Sequence, residues 1–195
     1  MKPKSPRRRS LRLKGYDYSR PGACFVTICT HDRVCLFGEV VEGEMVPNIF
    51  GRIVQEEWFR SAGIRQEIEL RPDEFVVMPN HLHGIVWIIP AGVSMTPVGA
   101  HGRAPLRRAP RSLGAFVAGF KSAATRRINA RRGTPGTVVW QRNYYEHIIR
   151  DEQALDRIRA YIANNPLQWD LDRENPANLA AGSQTPPPHG EPWRG

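Results

Sequence analysis

His81 and His83, one residue apart in Met78-Pro79-Asn80-His81-Leu82-His83-Gly84, are the side chains of this sequence best suited to hold a metal. The run around them, from Glu74 to Ile89, is apolar and rich in β-branched and aromatic residues, so it reads as a strand whose side chains alternate between two sheet faces. Both imidazoles then point the same way. A cation held by two imidazoles still needs a third protein ligand and open positions for substrate. Tyr161 and Asn165, four apart in a predicted helix, place a phenol and an amide oxygen on one helical face. If that face lies against the His strand, the set suits attack on a phosphodiester. A metal on a phosphate oxygen offsets the developing negative charge, and a tyrosine can act as nucleophile and keep the bond as a phosphotyrosine ester. Free phenol has a pKa near ~10, so a nearby cation is needed to favour the phenolate.

Charge points to the same chemistry. The 195 residues carry 28 Lys+Arg against 19 Asp+Glu, a formal net charge of +9. No acidic residue occurs between Glu74 and Glu146, whereas Arg103, Arg107, Arg108, Arg111, Lys121, Arg126, Arg127, Arg131, Arg132 and Arg142 all fall there. The excess positive charge is therefore confined to this central block, and a polyanion is its natural partner. The His pair lies inside the block, so the candidate metal site and the candidate phosphate-binding surface coincide in sequence, which favours nucleic acid as substrate. Cys24, Cys29 and Cys35 are odd in number and form no C-x-x-C pair, so they read as reduced thiols rather than a disulfide frame or zinc cluster. His31 between them reads as structural. No phosphate-cradling glycine loop is present, and no apolar run is long enough to span a bilayer. The expectation is a soluble cytoplasmic, nucleoid-associated protein with no membrane partner.

The elements that must position these groups can be laid out along the chain. Residues 1–15 form a basic arm, 16–170 a single folded domain, and 171–195 a Pro-rich tail. A strand begins at Gly22, and Val34–Val41 and Glu44–Val46 flank a Glu42-Gly43 turn. Asn48 caps a helix through about Arg60. Ile68–Leu70 and Phe75–Met78 lead into the His strand. Pro90 to Pro110 is a Gly/Pro/Arg-rich loop. Ser112 caps a helix whose apolar stripe is Leu113, Phe116, Val117, Phe120, Ala124 and Ile128. Val138-Val139-Trp140 suggests a short strand. The last helix runs from near Asp151 to Asn164 or Asn165, because Pro166 disfavours α geometry in the residue before it. Strands interleaved with packed helices indicate an α+β fold, an antiparallel sheet with helices on one face. The other face is left for a ligand.

Three ordered motifs resemble a known family. Met78-Pro79-Asn80-His81-Leu82-His83, then Val139-Trp140-Gln141-Arg142-Asn143-Tyr144-Tyr145-Glu146-His147, then Tyr161-Ile162-Ala163-Asn164-Asn165-Pro166 resemble the HUH-type single-tyrosine transposases, specifically the REP-associated tyrosine transposases. These are relatives of the small insertion-sequence transposases that act on single-stranded DNA. The likeness covers roughly Tyr16 to Trp169. It implies a ferredoxin-like sheet bearing the His pair, a Mg²⁺ or Mn²⁺ ion, and Tyr161 as catalytic nucleophile giving a 5′-phosphotyrosyl adduct and a free 3′-hydroxyl. The implied substrate is hairpin-bearing single-stranded DNA on a basic face, with Arg107, Arg108, Arg111, Lys121, Arg126, Arg127, Arg131, Arg132 and Arg142 on phosphates. A homodimer is what the insertion-sequence relatives lead one to expect. In those relatives a glutamine four residues after the tyrosine completes the metal site; here that place is Asn165, with Asn164 and Glu146 as fallbacks. Tyr144 and Tyr145 are expected to be structural or to stack on DNA. Two rival readings are a catalytically inactive hairpin-DNA-binding regulator and a zinc hydrolase, the latter requiring an acidic general base near the metal.

Overall fold

The protein's computed structural model describes residues 20–90, 112–172 and 174–180. The N-terminal arm, Arg103, Arg107, Arg108 and Arg111 in the 91–111 segment, and the Pro-rich tail from 181 lie outside the described residues.

The strand expected from Gly22 becomes β1 (Gly22–Cys29), the centre of an antiparallel sheet. It is buried along most of its length because it is flanked on both sides, by β6 (His81–Ile88) and β7 (Tyr145–Ile149). Two short strands, β4 (Ile68–Glu69) and β5 (Phe75–Val77), pair with the outer edge of β6, giving the order β4-β6-β1-β7. A separate hairpin, β2 (Gly38–Val41) with β3 (Glu44–Pro47), turns at Glu42 and Gly43, whose φ values of 52° and 80° suit the expected tight turn.

The three main helices start where the caps predict. The Asn48 side chain accepts from Phe50 and Gly51 at the head of α1 (Ile49–Gly63). Ser112 accepts from Ala115 in α2 (Leu113–Arg132), and Asp151 from Ala154 in α3 (Glu152–Asn164). Helices α1 and α2 share one sheet face, where Trp58, Phe116 and Phe120 pack on Cys24, Val26, Leu82 and Val86. The fold is α+β with the expected antiparallel sheet, but the opposite face is not bare. There Leu155, Ile158 and Ile162 of α3 cover Ala23, Phe25 and Ile85. The reason lies in the strands: β1 and the middle of β6 are apolar on both faces, so both must be covered.

Two local differences matter below. Val138-Val139-Trp140 contributes only a bridge from Trp140 to Thr30, and Val138 is 59% exposed; the edge strand is instead Tyr145–Ile149, where Glu146 and His147 interrupt the apolar pattern. The chain also stays packed beyond residue 170. A 3₁₀ segment, Pro166–Leu171, carries it back toward β6, where the Asn80 side chain donates to the Glu174 carbonyl at 2.6 Å, and α4 (Pro176–Ala180) follows. Among the described residues no helix is long and apolar enough to cross a membrane.

Candidate metal centre and nucleophile

Alternation along β6 sends Leu82, Gly84 and Val86 toward α1 and α2 and sends His81, His83 and Ile85 toward α3. Both imidazoles are buried, at 0% and 2% exposure, and their Nε2 atoms stand 3.0 Å apart. Their other nitrogens are held. His83 Nδ1 lies 2.8 Å from Thr27 Oγ1 on β1, and His81 Nδ1 lies 2.8 Å from Asn80 Oδ1. The Asn80 amide nitrogen donates to the carbonyls of Arg33 and Glu174, at 3.1 and 2.6 Å, so its oxygen must face His81 and accept. His81 is thereby fixed with its proton on Nδ1 and a lone pair on Nε2, the arrangement that outer hydrogen bonds impose on metal-ligating histidines.

Helix α3 brings the phenol. Tyr161 Oη is 3.4 Å from His83 Nε2, its ring meets His83 edge-on at 5.1 Å between centroids, and Phe25 stacks beneath His83 at 5.4 Å. One turn on, Asn165 is 2% exposed, and its Oδ1 has no hydrogen-bond partner among the described residues. Asn165 keeps right-handed helical geometry, φ −60° and ψ −41°, despite the following proline. Pro166 opens the 3₁₀ segment at its first position, where a missing N–H is harmless, so the chain stays helical and Asn165 remains on the face of Tyr161.

That segment delivers a residue the sequence reading missed. Asp172, with 6% of its side chain exposed, points Oδ2 at His81 Nε2, 3.8 Å away, while its Oδ1 accepts from the Glu174 backbone at 2.7 Å. His81, His83 and Asp172 have ligand atoms all within 4.8 Å of one another and form a group that could hold a divalent cation. The donor set fits one: two oriented nitrogens, a carboxylate, and an amide oxygen lacking a donor, a group whose burial otherwise costs about 1–3 kcal/mol. Hard oxygens alongside imidazole suit Mg²⁺ or Mn²⁺ more than a thiolate-rich zinc centre. Cys29 Sγ lies beside Glu174 at 3.6 Å and is not part of the converging group; burial above all, and then the Glu174 charge, push its thiol up to about 12. Of the fallback ligands, Asn164 is exposed on α3, and Glu146 pairs in register with Val26, on the α1/α2 side of the sheet.

An ion-pair cluster fixes α3 over the strand that bears the histidines. Glu74 is fully buried; its Oε1 accepts from Arg159 Nε and Nη2 at 2.9 and 2.7 Å, and its Oε2 accepts from Trp87 Nε1 at 2.6 Å. Arg71 caps the cluster, 3.6 Å from Oε1 and over the Trp87 ring. Arg159 precedes Tyr161 by two residues and Trp87 belongs to β6, so the clamp joins the two elements that carry the phenol and the imidazoles.

The cations of α2 are not gathered around the imidazoles, since α2 lies across the sheet from them. Lys121, Arg126 and Arg142 line a cleft on that far side. Lys121 Nζ donates to the carbonyls of Gln141, Arg142 and Asn143. Arg127 bonds Glu56 and Glu57 of α1 at 2.6 and 2.8 Å, contacts that push its pKa further up. Arg132 bonds the side chain of Asn129, and Arg131 is exposed at the helix end. Tyr144 and Tyr145 fall on opposite faces: Tyr144 packs against the α1/α2 core, Tyr145 against Phe25 on the side of Tyr161.

No protein-family model matches the chain. An uncharacterized protein of Haemophilus influenzae is 40% identical over 169 residues, covering 85% of this chain and 92% of that protein. The chain belongs to that protein's family. A solved structure of a REP-associated tyrosine transposase bound to a REP hairpin is similar at a TM-score of 0.53 and 18% identity, over 81% of this chain and 74% of that one. The chain therefore shares that transposase's fold, in agreement with the resemblance carried by the three motifs.

Proposed function

We propose that the protein is a metal-dependent single-stranded DNA endonuclease and strand transferase of the HUH single-tyrosine type, acting on hairpin DNA through a covalent link to Tyr161. One observation carries this reading: the Tyr161 hydroxyl sits 3.4 Å from the Nε2 of His83, which itself converges on the Nε2 of His81 at 3.0 Å. A nucleophile, two oriented imidazoles and hard oxygen donors on one sheet face are the parts that phosphodiester transfer needs. A bound Mg²⁺ or Mn²⁺ supplies Lewis acidity at a phosphate oxygen and lowers the cost of ionising the phenol. Tyr161 forms the new bond to phosphorus as the bond to the 3′-oxygen breaks; the phenol proton is released and the 3′-oxygen leaves as a hydroxyl. Reversal with another 3′-hydroxyl rejoins the strands. The fold shared with a transposase bound to a hairpin supports hairpin DNA as the partner.

Asp172 favours one rival. A buried carboxylate 3.8 Å from His81 is the acidic group that a metal-dependent hydrolase requires as general base. A single experiment separates the two. Labelled single-stranded hairpin DNA is incubated with protein and Mn²⁺ and resolved on a denaturing gel. A covalent adduct that disappears in Tyr161→Phe, survives in Tyr145→Phe and is blocked by chelation is the expected result. Cleavage by Tyr161→Phe without an adduct would establish the hydrolase, and binding with neither would leave a regulator.

A further inference from the structure

The Thr27 hydroxyl has no part in the chemistry above. Alternation along β1 turns Ala23, Phe25 and Thr27 toward α3, and Thr27, 6% exposed, stands in register with His83 on β6 and with Tyr145 on β7. The polar contacts of the imidazole pair then form one row. It runs from Thr27 Oγ1 to His83 Nδ1 at 2.8 Å, from His83 Nε2 to His81 Nε2 at 3.0 Å, and from His81 Nδ1 to Asn80 Oδ1 at 2.8 Å. The Asn80 end is fixed. Its amide nitrogen donates to two carbonyls, so its oxygen accepts, the His81 proton stays on Nδ1, and His81 Nε2 carries a lone pair. Two nitrogen lone pairs do not face each other at 3.0 Å, so what joins the Nε2 atoms is either a proton on His83 or a cation. Asp172 Oδ2, 3.8 Å from His81 Nε2, is too distant to hold a second proton on His81 by a hydrogen bond.

The two occupants make opposite demands on Thr27. With a proton between the imidazoles, His83 Nδ1 is bare and needs a donor; with a cation there, the proton sits on Nδ1 and needs an acceptor. A hydroxyl meets both demands, because it carries one donor and two acceptor lone pairs and turns about its C–O bond. A carbonyl, or an amide held as that of Asn80 is, meets only one. The His83 ring cannot answer by turning over instead. Phe25 stacks on it at 5.4 Å and 22° between planes, Tyr161 meets its edge at 5.1 Å, and a half-turn would bring a carbon to the place of Nε2. We propose that Thr27 is a positioning residue of the metal centre: its hydroxyl reverses from donor to acceptor as His83 gives its Nε2 proton to water and takes one from water on Nδ1, so that the imidazole turns a lone pair to a divalent cation with no net change of charge. His81, held by Asn80, keeps its proton where it is. The inference rests on the divalent cation of the function proposed above, and not on the tyrosine chemistry.

The test reads ring protons and needs no turnover. The full chain labelled with ¹⁵N-histidine is recorded at about pH 8, above the ordinary histidine range, by long-range ¹H–¹⁵N correlation, first in EDTA and then with saturating Mg²⁺. His83 should carry its proton on Nε2 in EDTA and on Nδ1 with Mg²⁺, while His81 carries its own on Nδ1 throughout. These spectra need no variant to fold. Thr27→Val keeps the β-branched shape without the hydroxyl and should weaken Mn²⁺ binding about tenfold by calorimetry, whereas Thr27→Ser, which keeps the hydroxyl, should bind as the wild type does. A merely structural hydroxyl would lower the melting midpoint of Thr27→Val in EDTA and leave its Mn²⁺ affinity intact. A His83 proton that stays on the same nitrogen, a His81 protonated on both nitrogens in EDTA, or an unchanged Mn²⁺ affinity in Thr27→Val would each overturn the proposal and leave the metal reading standing. Failure of the wild-type chain to bind Mg²⁺ or Mn²⁺ would sink that reading and this inference together.

Discussion

Replacing Glu74 by glutamine tests whether the buried clamp holds α3 against the sheet. The carboxylate has two acceptor oxygens, and the structure uses both: one takes two hydrogen bonds from Arg159, the other the Trp87 indole at 2.6 Å. Glutamine fills the same volume with one oxygen and one NH₂. Whichever way the amide turns, its NH₂, a buried donor, confronts another donor, either the part-exposed guanidinium or the indole. Leaving such a donor unsatisfied costs about 1–3 kcal/mol. In a chain of this size each kcal/mol lowers the melting midpoint by about 2–4 °C, so Glu74→Gln should melt about 2–12 °C below the wild type. Circular dichroism at 222 nm at pH 7 reads this directly. Trp87→Phe should then behave non-additively, because in Glu74→Gln/Trp87→Phe the NH₂ can face the donor-free ring; a coupling of at least about 0.5 kcal/mol is expected. A Glu74→Gln protein melting within 1 °C of the wild type, on the order of the smallest shift this reasoning allows, or two strictly additive substitutions, would refute the account.

Other expectations follow from the packing, the buried thiols and the donor set. Gly84→Ala puts a Cβ 2.6 Å from Trp58 Cζ2 and 3.3 Å from Phe75 Cδ2, rings locked in the core, so it should lose about 1–3 kcal/mol in guanidinium unfolding; wild-type stability would mean that the indole moves at no cost. Burial foremost, and then the Glu146 charge, raise the Cys24 thiol from 9.0 to about 12. The unfolded chain therefore loses this proton first; the thiol's contribution is complete below pH 9 and declines by roughly 1 kcal/mol per pH unit as pH rises toward 12. Cys24→Ala should flatten that alkaline decline in urea melts between pH 9 and pH 11, and an unchanged slope would contradict it. Asn165→Ala and Asp172→Asn should each weaken Mn²⁺ binding about tenfold or more by calorimetry. Loss in Asp172→Asn alone assigns the third ligand to the carboxylate rather than the amide.

The common direction of His81 and His83 was legible because a strand repeats every two residues, and Tyr161 with Asn165 because a helix brings every fourth residue to one face. Asp172 was not, since its place depends on the chain staying helical through Pro166 and on the Asn80 side chain tethering the Glu174 carbonyl, 94 residues away in sequence. Glu146 looked eligible as a ligand until the register of β7 set it opposite Val26, on the wrong side of the sheet. That register was hidden because a glutamate and a histidine interrupt the apolar pattern of Tyr145–Ile149. The acid-free run of sequence likewise suggested one continuous cationic surface. Folding instead directs Arg127 to Glu56 and Glu57, whose positions fall outside the run, and places the sheet between the α2 cations and the imidazoles. Nor was the need for glycine at 84 legible, because the neighbour that fills the room is the Trp58 indole, brought there by α1.

Tyr161 and Asn165 lie on α3 and its C-terminal end, and Asp172 directly follows the 3₁₀ segment that continues it, whereas the two imidazoles belong to the sheet. Any departure of that stretch from the sheet removes the phenol, the amide oxygen and the carboxylate in one movement and leaves two bare nitrogens. On the function proposed above, binding of the ion and docking of this stretch against the sheet are thermodynamically linked: whatever tightens one tightens the other by the same factor. In that reading a loaded centre with a misplaced Tyr161, a state in which water could hydrolyse a strand meant to be rejoined, is disfavoured.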